Sequence, residues 1–278
     1  MSWKYTDEYY KQYTRDTWNE SAEAYAPVMR TLDLFTPDLL RAAEPRPGER
    51  VLDVASGPGE PALTIAPGLL PGGSVLGIDL SERMVDIARR RASEREIGNA
   101  LFAVMDAEHM DLPDASFDLV VCRFGLQIVT DPEACAREAH RVLRPGGRLA
   151  VSVWGPAERN PLLHAVVGPM LAHATPDETG YLPTPYELGG EGELGRLLAG
   201  AGFRSPDETR VTRNGEFRDE EDYLAGILEG TPLGHSLREE DAGVQEAVLR
   251  EARANLQRWK TPDGISMPME CLVARARK

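Results

Sequence analysis

An apolar run that stops in a glycine-rich turn, Val51-Leu52-Asp53-Val54-Ala55-Ser56-Gly57-Pro58-Gly59-Glu60, constrains this chain more than any other stretch. A second apolar run, Gly77-Ile78-Asp79-Leu80, follows it and again ends in an acid. Strand, tight turn and helix in that order bring backbone close to a nucleotide-like ligand in doubly wound α/β folds. The alternation continues, with strands expected at 50–55, 74–79, 101–105, 117–123 and 148–154 and helices at 60–70, 81–97 and 132–143. A helix at 193–201, a strand near 209–216 and a closing apolar run from Ser266 to Ala276 complete the pattern. It predicts a Rossmann-like, doubly wound, mostly parallel seven-stranded α/β sheet with an antiparallel last strand, the last two strands pairing at the sheet's edge.

The acids at the strand ends narrow the ligand. Asp79 lies 20 residues after Gly59, where such folds place a carboxylate that accepts from both ribose hydroxyls. The G-x-G-x-x-A spacing of Gly57, Gly59 and Ala62 also fits nicotinamide-dinucleotide sites, so the turn alone leaves an NAD-dependent oxidoreductase open. Asp53 argues otherwise, because a carboxylate beside the turn would repel a pyrophosphate seeking the helix N-terminus. It suits a ligand carrying an ammonium group near an adenosine, which is S-adenosylmethionine. Asp106, ending the third strand, is placed to accept from an adenine amino group, with the Ala107 N–H beside it.

Four segments carry a family resemblance: Asp53-Val54-Ala55-Ser56-Gly57-Pro58-Gly59, Asp106-Ala107-Glu108, Phe124-Gly125-Leu126-Gln127 and Leu143-Arg144-Pro145-Gly146-Gly147. Over roughly residues 45–155 the chain resembles class I S-adenosylmethionine-dependent methyltransferases. Within them it is similar to the branch of the ubiquinone/menaquinone-biosynthesis C-methyltransferases and other small-molecule enzymes. Ala55 stands where many class I enzymes have the first glycine of the loop, a replacement usual in this branch. The expected cofactor site comprises Asp53, Ala55, Gly57, Gly59, Asp79, Leu80, Met84, Asp106 and Ala107, with Arg123 added from its place at a strand end. The resemblance implies that Gln127 borders the acceptor pocket, and we add Tyr10 and Trp154 to that wall.

The cofactor brings the reactive methyl group, so no obligatory catalytic motif is expected. A general base would help with a phenol or an acidic carbon, which makes His109 and His164 candidates. Tyr9 and Tyr13, four apart on one helix face, are candidates to meet a sulfonium or an aromatic acceptor. Ordinary helix packing gives the same spacing. Arg123 suits a carboxylate or phosphate on either ligand, or a surface acid.

Composition excludes other classes. The net charge is −14, which disfavours nucleic acid as a partner, since such binders need a basic surface to displace counterions. Cys122, Cys135 and Cys271 show no disulfide or metal spacing, so no metal is expected. No apolar run approaches the roughly 20 residues needed to span a bilayer. Charged residues at Lys4, Asp7, Glu8 and Lys11 sit where a signal peptide would be apolar, so the expected compartment is the cytoplasm. A homo-oligomer is compatible with this reading.

Five boundaries follow. Residues 1–44 read as two short helices forming an aromatic lid that carries Trp3, Tyr5, Tyr9, Tyr10, Tyr13, Trp18 and Tyr25. Residues 45–154 form the cofactor core, which resumes at 193–218 and closes at 263–278. Between them, 155–192 and 219–262 read as helical cap insertions. The expected activity is methyl transfer from S-adenosylmethionine to a small, largely apolar metabolite such as a quinone, polyketide or terpenoid. A cofactor-binding scaffold that performs a cyclisation is the alternative within the same fold.

Overall fold

The computed structural model describes residues 7–173 and 185–278. Trp3, Tyr5 and the loop prolines Pro176 and Pro183 fall outside the described residues. Three helices, α1 (Asp7–Ser21), α2 (Ala26–Asp33) and α3 (Thr36–Ala43), precede β1 (Arg50–Val54). Then come α4 (Ala62–Ile65), continued by a 3-10 turn (Ala66–Leu69), β2 (Ser74–Asp79), α5 (Glu82–Glu94), β3 (Ala100–Val104) and β4 (Phe117–Arg123). Next are α6 (Pro132–Val142), β5 (Leu143–Trp154), α7 (Pro161–His173), α8 (Glu193–Gly200) and β6 (Arg204–Phe217). The chain ends with α9 (Glu220–Gly230), α10 (Pro232–Glu239), α11 (Ala242–Leu256), the two-residue β7 (Lys260–Thr261) and β8 (Gly264–Arg277).

The sheet runs β3-β2-β1-β4-β5-β8-β6, with β7 paired to β8 as an eighth, minimal strand. The pairs β1–β2, β1–β4, β2–β3 and β4–β5 are parallel, and β8 is antiparallel to β5. Order reverses between β1 and β4, and ligands of open α/β sheets bind outside the strand ends at that point. The central strands are buried on both faces, as parallel strands covered by helices must be. Val51, Leu52 and Val54 on β1 and Leu119, Val120 and Val121 on β4 are almost completely buried. Each such side chain contributes about 1.5–3 kcal/mol.

Caps set the helix starts. The Ser81 hydroxyl accepts from Met84 N at α5, and Asp131 accepts from Ala134 N at α6, where Pro132 holds the first helical position. Three elements depart from the sequence expectation. The N-terminal segment makes three helices rather than two, because Pro27 and Pro37 each open a new one. The expected helix 60–70 is a single α turn that tightens to 3-10 at Pro67, which donates no N–H. The second helical excursion contains α10 as a separate helix, since Pro232 ends one helical register and starts another.

The chain forms two compact units. Among the described residues the first holds 7–34, 155–173 and 212–270. There α1 packs on α10, α2 on α9 and α7 on α11. Helix α7 is apolar nearly all round, with Leu162, Leu163, Val166, Val167 and Met170 buried, and the Tyr223 hydroxyl donates to Leu162 O. The second unit holds Phe35–Trp154, Pro185–Val211 and Cys271–Lys278, so α3 goes with the sheet. The boundary falls inside β6 and β8. Among the described residues no helix is long and apolar enough to cross a membrane.

Strand β3 is one edge of the sheet, opposite β6. Val75 N donates to Asn99 O and Met105 N to Asp79 O, so the odd-numbered residues of this segment face β2. Phe102 faces outward, and its carbonyl accepts from Arg89 Nε at 3.2 Å and Nη2 at 2.9 Å. Leu101 and Val104 are exposed on the same strand.

Candidate functional site

The loop after β1 is built by residues whose backbone few side chains tolerate. Ala55, Gly57 and Gly59 have φ of 54°, 52° and 103°. Ser56 N donates to Ile78 O, and Gly57 N donates to Asp79 Oδ2 at 2.8 Å, which ties the loop to the end of β2. The glycines have separate reasons. A Cβ on Gly59 would lie 2.8 Å from Leu63 Cδ1 and 3.2 Å from Ala88 Cβ, so Gly59 serves close packing of α4 and α5. A Cβ on Gly57 would meet nothing within 4 Å, so this backbone borders open space. Ala55 crowds the neighbouring loop instead, since a Cβ on Gly125 would lie 2.4 Å from its own.

Asp79 is half-buried at the end of β2. Its Oδ1 accepts from Ser81 N at 2.9 Å and its Oδ2 from Gly57 N. Desolvation still holds its pKa above the ordinary carboxylate value, against the pull of those hydrogen bonds. A carboxylate offers about four acceptor positions, so both oxygens keep capacity for hydroxyl donors. Leu80 is half-buried beside it, and Met84 is buried in the first turn of α5.

Asp53 is fully buried, with Oδ2 accepting from Ala62 N at 3.0 Å at the start of α4. Its Oδ1 has no partner among the described residues, nor has the buried Ser56 Oγ. Burial lifts the Asp53 pKa to about 8, with the Arg123 guanidinium and the Ala62 N–H opposing the rise. The sequence reading aimed this acid at a ligand ammonium. The structure commits one oxygen to the start of α4 and leaves the other without a partner among the described residues. Arg123 is buried too, and its Nη1 donates to Thr36 Oγ1 at 2.9 Å.

After β3, Asp106 Oδ1 accepts from Glu108 N at 2.8 Å, with Ala107 buried between them. Glu108 is buried and its Oε1 accepts from Thr130 N at 2.7 Å and Asp131 N at 3.0 Å. His109 is exposed, 3.7 Å from Asp106 Oδ2. Asp106, Glu108 and His109 bring potential ligand atoms within 4.8 Å of one another. The bond from Glu108 N to Asp106 and those from Thr130 N and Asp131 N to Glu108 account for that grouping.

At the ends of β4 and β5, Gln127 is buried and its Oε1 accepts from Trp154 N at 2.7 Å. Trp154 lies on Phe124 with ring centroids 4.3 Å apart, and Phe35 meets both edge-on at 5.8 and 5.9 Å. Phe124 itself has φ of 58°. Phe35 and Thr36 carry no signal in the sequence, since only the fold brings the start of α3 to these strand ends, and Phe124 was visible in its segment without a role. Glu108 was visible in the Asp106-Ala107-Glu108 segment but carried no role.

The remaining candidates belong to the first unit. Tyr13 OH lies 2.9 Å from Ser236 Oγ, and its ring meets His235 edge-on at 5.6 Å. Burial raises the Tyr13 pKa. Its hydroxyl joins α1 to α10. Tyr9 is exposed and edge-on to the half-buried Tyr10 at 5.8 Å. His164 is the exposed residue on an otherwise buried turn of α7.

Residues 52–151 match the family model described as a methyltransferase domain. The ubiquinone/menaquinone biosynthesis C-methyltransferase UbiE of Cupriavidus pinatubonensis is 39% identical over 134 residues, which cover 47% of this chain and 54% of that protein. The chain thus spans about half the length of the curated relatives it matches. The YcgJ protein of Bacillus subtilis shares the fold with a TM-score of 0.59 at 22% identity, covering 90% of this chain and 98% of its own. The [4+2]-cyclase SpnF does so with a TM-score of 0.56 at 24% identity, covering 88% and 81%.

Proposed function

We propose that this chain, whose residues 52–151 match a methyltransferase-domain model, is a class I S-adenosylmethionine-dependent methyltransferase acting on a small, largely apolar metabolite. One observation carries the reading: the Gly57 backbone borders open space while its N–H is fixed on Asp79 at the reversal of strand order. That arrangement, with Asp53 Oδ1 at the end of β1 and Ser56 Oγ in the loop unpartnered among the described residues, fits a polar adenosyl ligand. Asp79 would take the ribose, Gly57 and the residues around it the methionine end, and Asp106 with the Ala107 N–H the adenine. Leu80 and Met84 supply apolar contact. When bound, the cofactor supplies an electrophilic methyl group.

What this chain adds is orientation and exclusion of water, which an in-line displacement rewards most. Gln127 and Trp154, locked to each other and backed by Phe124 and Phe35, make a stiff wall suited to a flat acceptor. The name of the UbiE relatives supports a quinone-like acceptor among the small apolar metabolites. Titration calorimetry with S-adenosylhomocysteine and with NAD tests the cofactor, and only the first should bind. Methyl-labelled S-adenosylmethionine with a panel of reduced quinones and polyketide phenols tests the reaction. Label in product supports methyl transfer. Binding with acceptor turnover but no label would replace it with a cyclase-like step.

A further inference from the structure

The loop after β3 and the loop after β4 are joined by one side chain. Asp106 folds the first loop by accepting from Glu108 N, which turns the Glu108 side chain inward. A buried carboxylate must find donors, and Glu108 Oε1 finds two, Thr130 N at 2.7 Å and Asp131 N at 3.0 Å. Those N–H groups lie at the entry to α6, where the positive end of the helix dipole adds to the attraction. They also end the loop that begins at Phe124 and contains Gln127. That loop is held at its start by Phe124 N on Ser152 O and in the middle by Gln127 on Trp154 N. At its far end, Glu108 is the side chain holding Thr130 N and Asp131 N.

The first loop has a separate anchor. Met110 N donates to Glu138 Oε2 at 2.8 Å, and Arg141 donates to Met110 O and Leu112 O. Loss of the Glu108 contact would therefore leave the Asp106-Ala107 loop folded while freeing the 124–131 loop. We propose that Glu108 is a positioning residue that couples cofactor binding at Asp106 and Ala107 to ordering of the 124–131 loop bordering the acceptor. This rests on the cofactor placement argued above. A ligand that fixes residues 106 and 107 fixes the Glu108 backbone next to them, and through its carboxylate the N–H groups of Thr130 and Asp131.

Hydrogen exchange on the full chain, with and without S-adenosylhomocysteine, tests this without knowledge of the acceptor. The parent should show ligand protection both at 56–60 with 79–84 and at 125–131. Glu108→Ala should exchange about tenfold faster at 125–131, as expected for loss of a charge-assisted hydrogen bond. Ligand protection there should vanish while protection at 56–60 persists. Glu108→Gln, which keeps an acceptor oxygen without the charge, should restore part of it and covers the case in which the alanine variant does not fold. A purely structural role would speed exchange by the same factor with and without ligand and so preserve the ligand protection, and that outcome overturns the coupling. Undiminished ligand protection at 125–131 in both variants overturns it as well. A parent with no protection at 56–60 or 79–84 would instead remove the cofactor placement, and the coupling with it.

Discussion

Gly57 donates its backbone N–H to Asp79 Oδ2 over 2.8 Å, so the glycine turn and the acid that ends the next strand form one hydrogen-bonded unit. The acid therefore has a structural duty beside its proposed ribose contact. Asp79→Ala should remove two ligand hydrogen bonds and lower S-adenosylhomocysteine affinity by about a hundredfold or more. It should also cost about 1–3 kcal/mol of stability, because Gly57 N and Ser81 N lose their acceptor. Calorimetry and urea denaturation on one preparation check both. Unchanged affinity would displace the proposed site.

Gly57→Val meets a backbone obstacle rather than a steric one. Its Cβ has room, but φ of 52° disfavours a β-branched residue by roughly 1–2 kcal/mol. A lower melting temperature should accompany the loss of binding, since the new side chain occupies the space proposed for the ligand. Gly57→Ala should lose less of both. A valine variant that binds S-adenosylhomocysteine normally would show that the open space is not where the ligand goes.

Asp53 makes stability depend on pH. Its pKa is about 8 in the fold against 3.8 ordinarily, so the folded state keeps a proton that the unfolded chain releases. The stabilisation is complete below about pH 4 and is lost as pH rises toward about 8, by up to roughly 1.4 kcal/mol per pH unit. Asp53→Asn has no such proton. Denaturation of parent and variant between pH 5 and 8 should show the parent falling relative to the variant. A gap that stays constant across that range would mean the acid is already ionised in the fold.

Tyr13→Phe should weaken the α1–α10 contact and leave cofactor binding intact. The hydroxyl's hydrogen bond to Ser236 Oγ contributes about 0.5–1.5 kcal/mol. Ser236→Ala should cost a similar amount, and the double variant less than the sum. If Tyr13→Phe instead abolishes methyl transfer at unchanged stability, the tyrosine acts on the reaction.

The parallel strands, the glycine turn and the strand-end acids were legible because each is a local pattern with a local cause. Strand β2 falls at 74–79 and β4 at 117–123, as the apolar runs require. The direction of the Asp53 carboxylate was not legible. Nothing in Val51-Leu52-Asp53-Val54 says that Ala62 N will turn back to meet it. Phe35 belongs to the wall with Trp154 through a contact across more than a hundred residues, which periodicity cannot express. Helix α10 escaped because Thr231-Pro232 reads equally as a break within a loop.

Arg89 gives the β3 margin of the sheet a different significance. An open strand with exposed Leu101 and Val104 invites a strand of another molecule to extend the sheet. The newcomer's backbone N–H would need the Phe102 carbonyl, and a guanidinium already holds that oxygen with two donors. Such a stack would begin by displacing that guanidinium. Self-association along this margin is thereby discouraged, and removing the Arg89 side chain should first be felt as a fall in solubility.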